Sequence, residues 1–251
     1  MCRLAFILLS VVLATGFSFA QDAKSKGHEW SYEGDEGPKH WGDLQPNFAT
    51  CKTGQRQSPI DIRDAKKESL PPIQFNYKPS PLAIINNGHT IQINYAPGSF
   101  ITVGDKRYQL KQFHFHHPSE EHINGKPFDM VIHLVHADDE GHLAVIAVLL
   151  RKGSANPIIQ KLWENLPQTE GKEQTVPGVQ VNAAALLPQS LAYYTFDGSL
   201  TTPPCSEQVR WFVLKTPVEV SADEIAAFSK VYPHNARPTQ PLNGRAVDES
   251  E

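Results

Sequence analysis

The chain has 251 residues, a formal net charge of −4 and a hydrophobic fraction of 40%. Lysine and arginine residues form no cluster, so nothing indicates a nucleic-acid partner or an anionic membrane surface. No repeat, low-complexity tract or linker divides the chain, and its length suits one large domain with its own core.

The first 20 residues have the pattern of a secretory signal peptide. Arg3 precedes an apolar run from residue 4 to 12, and Ser18-Phe19-Ala20 has the small-x-small form of a cleavage site. A transmembrane anchor is the alternative, but a span needs about 20 apolar residues. We therefore predict a signal peptide over 1–20, a mature domain over 21–251, no membrane span, and export to the periplasm or beyond the cell.

Two cysteines remain after cleavage, Cys51 and Cys205. An even pair in an exported chain indicates a disulfide, and two buried free thiols are the alternative. The disulfide would join residues 154 positions apart.

Short β-strands dominate the predicted secondary structure. Residues 90–95 alternate between apolar and polar side chains, while 143–150 is apolar on both faces and therefore central. Strands are predicted at 73–77, 82–86, 90–95, 100–103, 107–116, 129–136, 143–150, 192–196 and 209–214. Helices are predicted at 154–166, with Asn156 as N-cap, and at 221–232, with a Ser221/Glu224 capping box. The fold class is mostly β, with a large antiparallel sheet and short surface helices.

The strand 107–116 contains two histidines with the spacing of a metal site. Side chains two apart on a strand share a face, so His114 and His116 project together and the phenylalanines beside them face a core. His133 lies in the next strand, and the turn signal Asn124-Gly125 falls between the two strands. If the strands pair, three histidines can hold zinc with one open position, as in catalytic sites.

The alternative for any histidine in a strand is a hydrogen-bonded core residue. Parity predicts this structural role for His117 and His136, which point away from the candidate metal, and His122 is interpreted in the same way.

Two further stretches carry polar groups that can serve a site. Pro203 and Pro204 stiffen a loop that presents the hydroxyls of Thr201 and Thr202, although an ordinary proline turn explains the same residues. His89 follows a glycine, and a histidine titrating near neutrality can carry protons. Strict alternation would bury His89 with the core face of strand 90–95 unless the turn aims it elsewhere.

Taken together, these stretches resemble the α-class carbonic anhydrases, in particular the exported bacterial members. The matching residues occur in the family's order and spacing between His28 and Arg245. They are Gly37-Pro-Lys-His-Trp41, Gln57-Ser-Pro-Ile-Asp-Ile62, Asn86-Asn-Gly-His89, Gln112-Phe-His-Phe-His116, Glu121-His122, His133-Leu-Val-His136, Gly198-Ser-Leu-Thr-Thr-Pro-Pro204 and Arg237-Pro-Thr-Gln-Pro-Leu242.

The resemblance implies one domain around a twisted, mostly antiparallel sheet of about ten strands, with Zn²⁺ at the base of a conical cavity. It implies reversible hydration of carbon dioxide to bicarbonate and a proton by zinc-hydroxide attack. The implied zinc ligands are His114, His116 and His133. Thr201 would accept the proton of the hydroxide and donate its own to Glu121, and His89 would be the proton shuttle.

The resemblance also assigns the cavity lining. Carbon dioxide would rest on Val135, Val145, Leu200, Val209 and Trp211, with Thr202 on the polar side. Gln112 would orient His114, and cavity water would be ordered by Tyr32, Asn87 and Gln92. Cys51 and Cys205 match the bacterial disulfide. The resemblance implies that sulfonamides or anions bind the zinc as inhibitors. It also implies a side activity on esters, and a homodimer is the candidate assembly.

One position departs from the family pattern. Two residues before the third ligand the family usually has a Glu that holds the ligand's other ring nitrogen, and here the residue is Val131. Such partners are worth about 10–100-fold in metal affinity or activity. We expect His133 to use a water, a carbonyl or another side chain instead, and Val131→Glu to slow zinc loss.

Three other functions fit these residues less well. A non-catalytic binding domain of the same family would typically lack a zinc ligand, and all three are present. An exported zinc hydrolase would be favoured by an HExxH motif, which the sequence does not contain. A structural or adhesive surface protein would have no use for the polar relay.

Overall fold

The computed structural model describes residues 29–167 and 169–251, so the predicted signal peptide lies outside the described residues. The strands in chain order are β1 (Asp61–Ile62), β2 (Lys66–Lys67), β3 (Ile73–Asn76), β4 (Ser80–Asn86), β5 (Ile91–Asn94), β6 (Phe100–Val103), β7 (Lys106–His116), β8 (His122–Ile123), β9 (Lys126–Pro127), β10 (Met130–Ala137), β11 (Leu143–Lys152), β12 (Gln174–Val181), β13 (Tyr193–Ser199), β14 (Glu207–Val220) and β15 (Asp248–Glu249). The α-helices are α1 (Trp41–Leu44), α2 (Thr50–Thr53), α3 (Pro157–Trp163) and α4 (Ala222–Ser229).

A sheet of 12 strands organises the described residues. Its order is β12-β4-β5-β7-β10-β11-β14-β13-β15-β2, with β6 also paired to β7 and to β3. Most neighbours are antiparallel, whereas β11 with β14 and β15 with β2 are parallel. A separate small sheet contains β1, β8 and β9. The predicted fold class is confirmed, and two-residue strands such as β2 and β15 bring the count above the expected ten.

The sheet separates two buried clusters. Alternate residues of the central strands pack into a large cluster on one face, which contains Phe113 and Phe115 as predicted. The opposite face carries a smaller cluster that includes Val145, Val209 and Trp211. His114 and His116 of β7 and His133 of β10 lie on this second face, because they alternate with the residues of the large cluster.

Both longer helices begin where the capping signals predicted. The Asn156 side chain accepts hydrogen bonds from two backbone N–H groups at the start of α3, and Ser221 and Glu224 form a complete capping box at α4. Each helix ends three residues earlier than predicted, at Trp163 and Ser229. Prolines at 167 and 233 follow, and they disfavour helical backbone before them.

The predicted disulfide between Cys51 and Cys205 is present. It joins α2 to the loop that follows β13, and such a bond indicates an oxidising compartment. Among the described residues, no helix is both long and apolar enough to cross a bilayer.

Replacing both cysteines with alanine should lower the free energy of unfolding by about 2–5 kcal/mol, because the bond closes a loop of 154 residues in the unfolded chain. Urea denaturation of the oxidised parent and the double variant measures this loss. Reductant should shift the parent and leave the variant unchanged. Equal midpoints for the two oxidised proteins would contradict the expectation.

Candidate metal centre

Antiparallel pairing of β7 with β10 brings the three predicted ligands together. His133 lies directly opposite His114, and Val131 lies opposite His116. The ring centroids of the three histidines are 4.7–5.5 Å apart. Asn124 and Gly125 have φ angles of 52° and 78°, the left-handed geometry expected of this turn signal, although the turn joins the short strands β8 and β9.

Two of the histidines use Nδ1 for a hydrogen bond and so leave Nε2 free. His114 Nδ1 donates to Gln112 Oε1 at 2.8 Å, and His116 Nδ1 donates to the backbone carbonyl of Asn235 at 2.7 Å. A neutral imidazole with one N–H engaged offers a lone pair at its other nitrogen. Both rings are therefore oriented with Nε2 available to a cation.

The third histidine has the opposite arrangement. His133 Nε2 lies 3.0 Å and 3.2 Å from the two carboxylate oxygens of Glu121, which leaves Nδ1 free. Val131, the residue that departs from the family pattern, is fully buried in the apolar cluster. Of the three alternatives expected for His133, the structure therefore shows another side chain, and this side chain is a carboxylate.

The residues fit a divalent metal ion. One ligand nitrogen from each histidine lies within 4.8 Å of the other two. His116 Nε2 and Glu120 Oε2 are both buried without a hydrogen-bond partner among the described residues and lie 3.5 Å apart, an arrangement that is costly unless something binds there. Three neutral imidazoles with a free coordination position are the donor set of catalytic zinc.

Burial and neighbouring charge shift the pKa values of the three histidines in different directions. Burial lowers the pKa of His114 to about 3 and also lowers the pKa of His116 well below its usual value. Burial likewise acts to lower the pKa of His133, but the charge and hydrogen bond of Glu121 outweigh it and raise the pKa. The first two rings are therefore neutral near pH 7, as metal ligands must be.

The carboxylate beside Thr201 belongs to Glu120. Glu120 Oε1 accepts a hydrogen bond from the Arg237 backbone N–H at 2.7 Å, and Thr201 donates a side-chain hydrogen bond to the same carboxylate. Burial raises the pKa of Glu120 to about 7. The predicted pairing of Thr201 with Glu121 is therefore wrong, since Glu121 is committed to His133.

The residues predicted to hold carbon dioxide lie together beside the histidines. Val145, Val209 and Trp211 belong to the smaller buried cluster, and half-buried Val135 and Leu200 pack against it. The Trp211 ring centroid is 4.9 Å from that of His133. Thr202 follows Thr201 and is half-buried.

His89 does not continue the alternation of β5, which begins at Ile91. Gly88 before it has a φ of 87°, and the His89 ring stacks on Trp30 with centroids 3.6 Å apart. The turn therefore takes His89 away from the core face. Trp30 also makes edge contacts with Tyr32 and Trp41. His89 therefore stacks on one member of an aromatic cluster.

Two of the three predicted water-ordering residues, Asn87 and Gln92, form a polar row near this turn, whereas Tyr32 packs against Trp30 and Trp41. Asn87 Oδ1 accepts the backbone N–H of His89 at 3.0 Å, and Asn87 Nδ2 donates to Gln92 Oε1 at 3.4 Å. Gln92 Nε2 in turn donates to Asn94 Oδ1 at 2.7 Å. Gln92 also lies opposite His114 in the register of β5 with β7.

His117 and His136 are the hydrogen-bonded structural histidines that parity predicts. His117 Nδ1 contacts the carbonyl of Pro233 at 2.9 Å. His136 is buried between the Tyr77 hydroxyl, at 2.7 Å, and the Ala144 carbonyl, at 3.3 Å. Neither belongs to the group of histidines that could hold a metal.

Sequence reasoning missed Glu120, Asn235 and Trp30. Glu120 and Glu121 are neighbours in a loop, where no alternation tells which carboxylate faces which partner. Asn235 acts on His116 through a backbone carbonyl 119 positions away, for which a sequence has no signal. A tryptophan ten residues after a predicted export signal would ordinarily be interpreted as core.

Comparison with known proteins identifies the family of the chain. The family model described as eukaryotic-type carbonic anhydrase matches residues 36–251. The chain belongs to the eukaryotic-type, or α-class, carbonic anhydrase family. Carbonic anhydrases of Pectobacterium carotovorum and Nostoc are 46% and 44% identical to the chain, over 95% of it in both cases and over 98% and 93% of those proteins. The α-carbonic anhydrase of Thermovibrio ammonificans, solved with the inhibitor sulfanilamide, is 44% identical with a TM-score of 0.85, covering 88% of this chain and 98% of that one.

Family membership confirms the prediction of a carbonic anhydrase enzyme, whose reaction is the hydration of carbon dioxide. Within this carbonic anhydrase the carboxylate that contacts the third histidine comes from the loop after β7, at Glu121, while β10 presents an apolar Val131. The expectation that Val131→Glu would improve the site therefore loses its basis, because it would add a second carboxylate beside one already bonded to His133.

His136 should make this carbonic anhydrase less stable in acid. Burial lowers its pKa to about 3, while a histidine in the unfolded chain titrates near pH 6.5. Below pH 6.5 the unfolded state therefore binds the extra proton, and stability falls as pH falls. Between pH 7 and pH 5 this one group should remove about 2 kcal/mol.

Urea denaturation of metal-stripped parent and His136→Gln protein at pH 7 and pH 5 measures this contribution. The variant will be less stable at both values, but its loss between them should be smaller by that amount. An identical loss in the two proteins would show that His136 does not carry the acid sensitivity.

Proposed function

We propose that the chain hydrates carbon dioxide at a zinc ion held by His114, His116 and His133. The observation that carries this is the matched set of free nitrogens, Nε2, Nε2 and Nδ1, each opposite a ring nitrogen already fixed by a hydrogen bond. Bound zinc lowers the pKa of its water to about 7 and so supplies a hydroxide nucleophile at neutral pH. The neutral imidazoles leave the ion its full positive charge.

Thr201 aligns the attacking oxygen in this proposal. Its hydroxyl hydrogen is directed to Glu120, so its own oxygen can only accept a hydrogen bond from the oxygen that attacks. Glu120 is held from behind by the Arg237 backbone N–H at 2.7 Å. A cation at the three histidines would oppose the effect of burial on Glu120 and favour its ionised form, which is the acceptor that Thr201 needs.

The apolar wall suits a substrate without charge or hydrogen-bond donors. Val145 and Val209 are buried beside the Trp211 ring, which is itself held by a hydrogen bond from its Nε1 to the Ser199 carbonyl at 3.0 Å. Carbon dioxide can lie on this surface without displacing a polar partner. A charged product has no such match with the wall, which favours its release.

His89 carries the released proton out of the cavity in this proposal. Its stack on Trp30 places it beside the polar row of Asn87 and Gln92, at the edge of β5 next to the strand of His114. Histidine is the side chain whose proton exchange suits neutral pH.

Glu121 is proposed as the residue that positions His133. Its two oxygens at 3.0 Å and 3.2 Å fix the Nε2–H tautomer, so the Nδ1 lone pair faces the metal. This carboxylate takes the place that Val131 leaves without one.

The remaining predictions extend this function. Sulfonamides and small anions bind the metal centre as inhibitors, in line with the sulfanilamide named with the Thermovibrio relative. The same nucleophile can attack activated esters. The disulfide supports export of the mature domain, residues 21–251, to the periplasm or beyond. The homodimer stays a prediction.

Mature protein should contain about one zinc ion per chain and hydrate carbon dioxide at a rate that chelation abolishes and added zinc restores. Stopped-flow hydration and metal analysis on the same sample measure both. His133→Ala, which removes one ligand, is the matched negative control. A full zinc content without hydration would overturn the proposed activity, and a fast rate in zinc-free protein would overturn the proposed cofactor.

Glu121→Gln keeps the shape of the side chain and removes its charge, so zinc should dissociate about 10–100-fold faster. Val131→Glu in that background should restore slow dissociation, because it supplies a carboxylate from β10. Transfer of zinc to a chromogenic chelator measures the rates without reference to activity.

Glu140→Gln, a change at an exposed acid, is the control for loss of charge. Equal zinc dissociation from the parent and Glu121→Gln would contradict the positioning role. Faster dissociation with no rescue by Val131→Glu would show that Glu121 acts through the loop rather than through His133.

His89→Ala should lower turnover by about tenfold or more in dilute buffer, in line with the size of general acid–base effects, and leave the rate in concentrated imidazole close to that of the parent. Trp30→Ala, which removes the ring under His89 but keeps the histidine, should have a smaller effect of the same kind. An unchanged rate for His89→Ala in dilute buffer would exclude the shuttle.

A further inference from the structure

A cavity lies on the face of the sheet opposite the three histidines. Along β14, Val209 and Trp211 face the metal centre, whereas the alternate residues Arg210 and Phe212 line this cavity. Its volume is about 450 Å³, within the range of small-molecule sites. None of the residues assigned to the carbonic anhydrase reaction lines it.

The walls of this rear cleft are largely apolar and aromatic. Tyr108, Tyr193 and Phe212 contribute buried rings, and Val103 and Leu143 contribute half-buried aliphatic surface. The Tyr193 hydroxyl is occupied by the Pro71 carbonyl at 2.7 Å, which fixes its ring against the wall. The flat rings suit a flat or branched apolar body.

The charge of the rear cleft is predominantly positive. Arg56, Lys106 and Arg210 line it together with one carboxylate, Asp197, which Arg210 already pairs at 2.9 Å. Neither Arg56 nor Lys106 makes a salt bridge with another residue that the structure describes. Two cations are therefore left without a carboxylate partner at the edge of an apolar cleft, which favours an anionic group there.

His142 also lines the cleft, and it is exposed at the rim. Its Nδ1 lies 3.0 Å from Asp138 and 3.6 Å from Glu140. Burial raises the pKa of the Tyr108 hydroxyl and the charge of Asp138 raises it further, so this acid does act on the cleft. The three cations of the lining still outnumber Asp138 and Asp197.

A buried hydroxyl in the rear cleft also lacks a partner. Thr195 lines the cleft and is 1% exposed, yet its hydroxyl makes no hydrogen bond with any described residue. Such a group costs stability unless something satisfies it. The hydroxyl is too deeply buried for a ligand in the open cleft to reach, so it bears on the stability of the protein and not on binding.

We propose that the rear cleft binds an organic carboxylate with an aromatic or branched apolar body. The body packs on Tyr108, Tyr193 and Phe212, and the carboxylate is attracted by Arg56 and Lys106. A cavity of about 450 Å³ is far larger than bicarbonate or another inorganic anion requires, so the apolar part of the ligand supplies the fit. The site is independent of the zinc chemistry proposed above.

Binding can be tested with 2-naphthoate by isothermal titration calorimetry on the mature enzyme. Saturating sulfanilamide keeps the probe from the metal centre. We expect one naphthoate per chain with a Kd of about 1 mM or tighter, since a ligand of this size has limited binding energy. The neutral analogue 2-naphthamide should bind at least fivefold more weakly, because it lacks the charge.

Two variants separate the rear cleft from other surfaces. Arg56→Met/Lys106→Met removes the unpaired cations and should weaken naphthoate binding about tenfold. The control Lys126→Met/Lys152→Met removes the same charge at exposed positions outside the cleft and should leave Kd unchanged. Both double variants change the net charge equally, so only the location differs.

Thr195→Val gives an independent result. It removes the orphan hydroxyl with little change in volume, so it should raise the Tm of ligand-free protein by a few degrees and leave naphthoate binding unchanged. The proposal is overturned by absence of binding at 1 mM, by equal binding of the amide, or by a Kd that Arg56→Met/Lys106→Met does not change.

Discussion

The antiparallel register of β7 against β10 is the constraint on which the metal centre depends. It sets His133 opposite His114 and gives all three histidines the same face of the sheet. A shift of one residue would send His133 into the large core and replace it with a leucine or isoleucine. The register is secured from behind by Phe113 and Phe115, which interlock with the larger cluster. The relative positions of the three histidines therefore follow from the packing of the core.

The rings are then oriented by three different kinds of acceptor. His114 uses a side-chain amide two residues away on its own strand, His116 uses a distant backbone carbonyl, and His133 uses a carboxylate from a loop. Only the last carries charge, so the electrostatic environment of the third ring differs from that of the other two. In this chain the carboxylate near His133 Nε2 therefore comes from the loop after β7, while β10 presents the apolar Val131.

Periodicity was sufficient wherever a strand or helix governs the side chains. It predicted the ligand face of β7, the strand of His133, the central position of β11 and both helix caps. It failed at β12, where Pro177 and Gly178 interrupt the alternation and the register with β4 shifts between Thr175 and Gln180. It also failed at Glu120 and Glu121, because a loop has no repeating direction. His89 lies between these cases, because only the turn before β5 directs its side chain away from the core, and alternation does not predict that turn.

Asn235 makes the orientation of His116 depend on a late part of the chain. Its carbonyl holds His116, its side-chain amide donates to the carbonyls of His89 and Phe115 at 3.0 Å, and its Oδ1 accepts the His117 backbone N–H at 2.8 Å. One residue near the C-terminal end thus ties together the turn of His89 and the end of β7. A growing polypeptide that has emerged only as far as β14 possesses all three ligands but not the clamp that orients His116. The orientation of His116 is therefore completed only when the segment that contains Asn235 has folded against the end of β7.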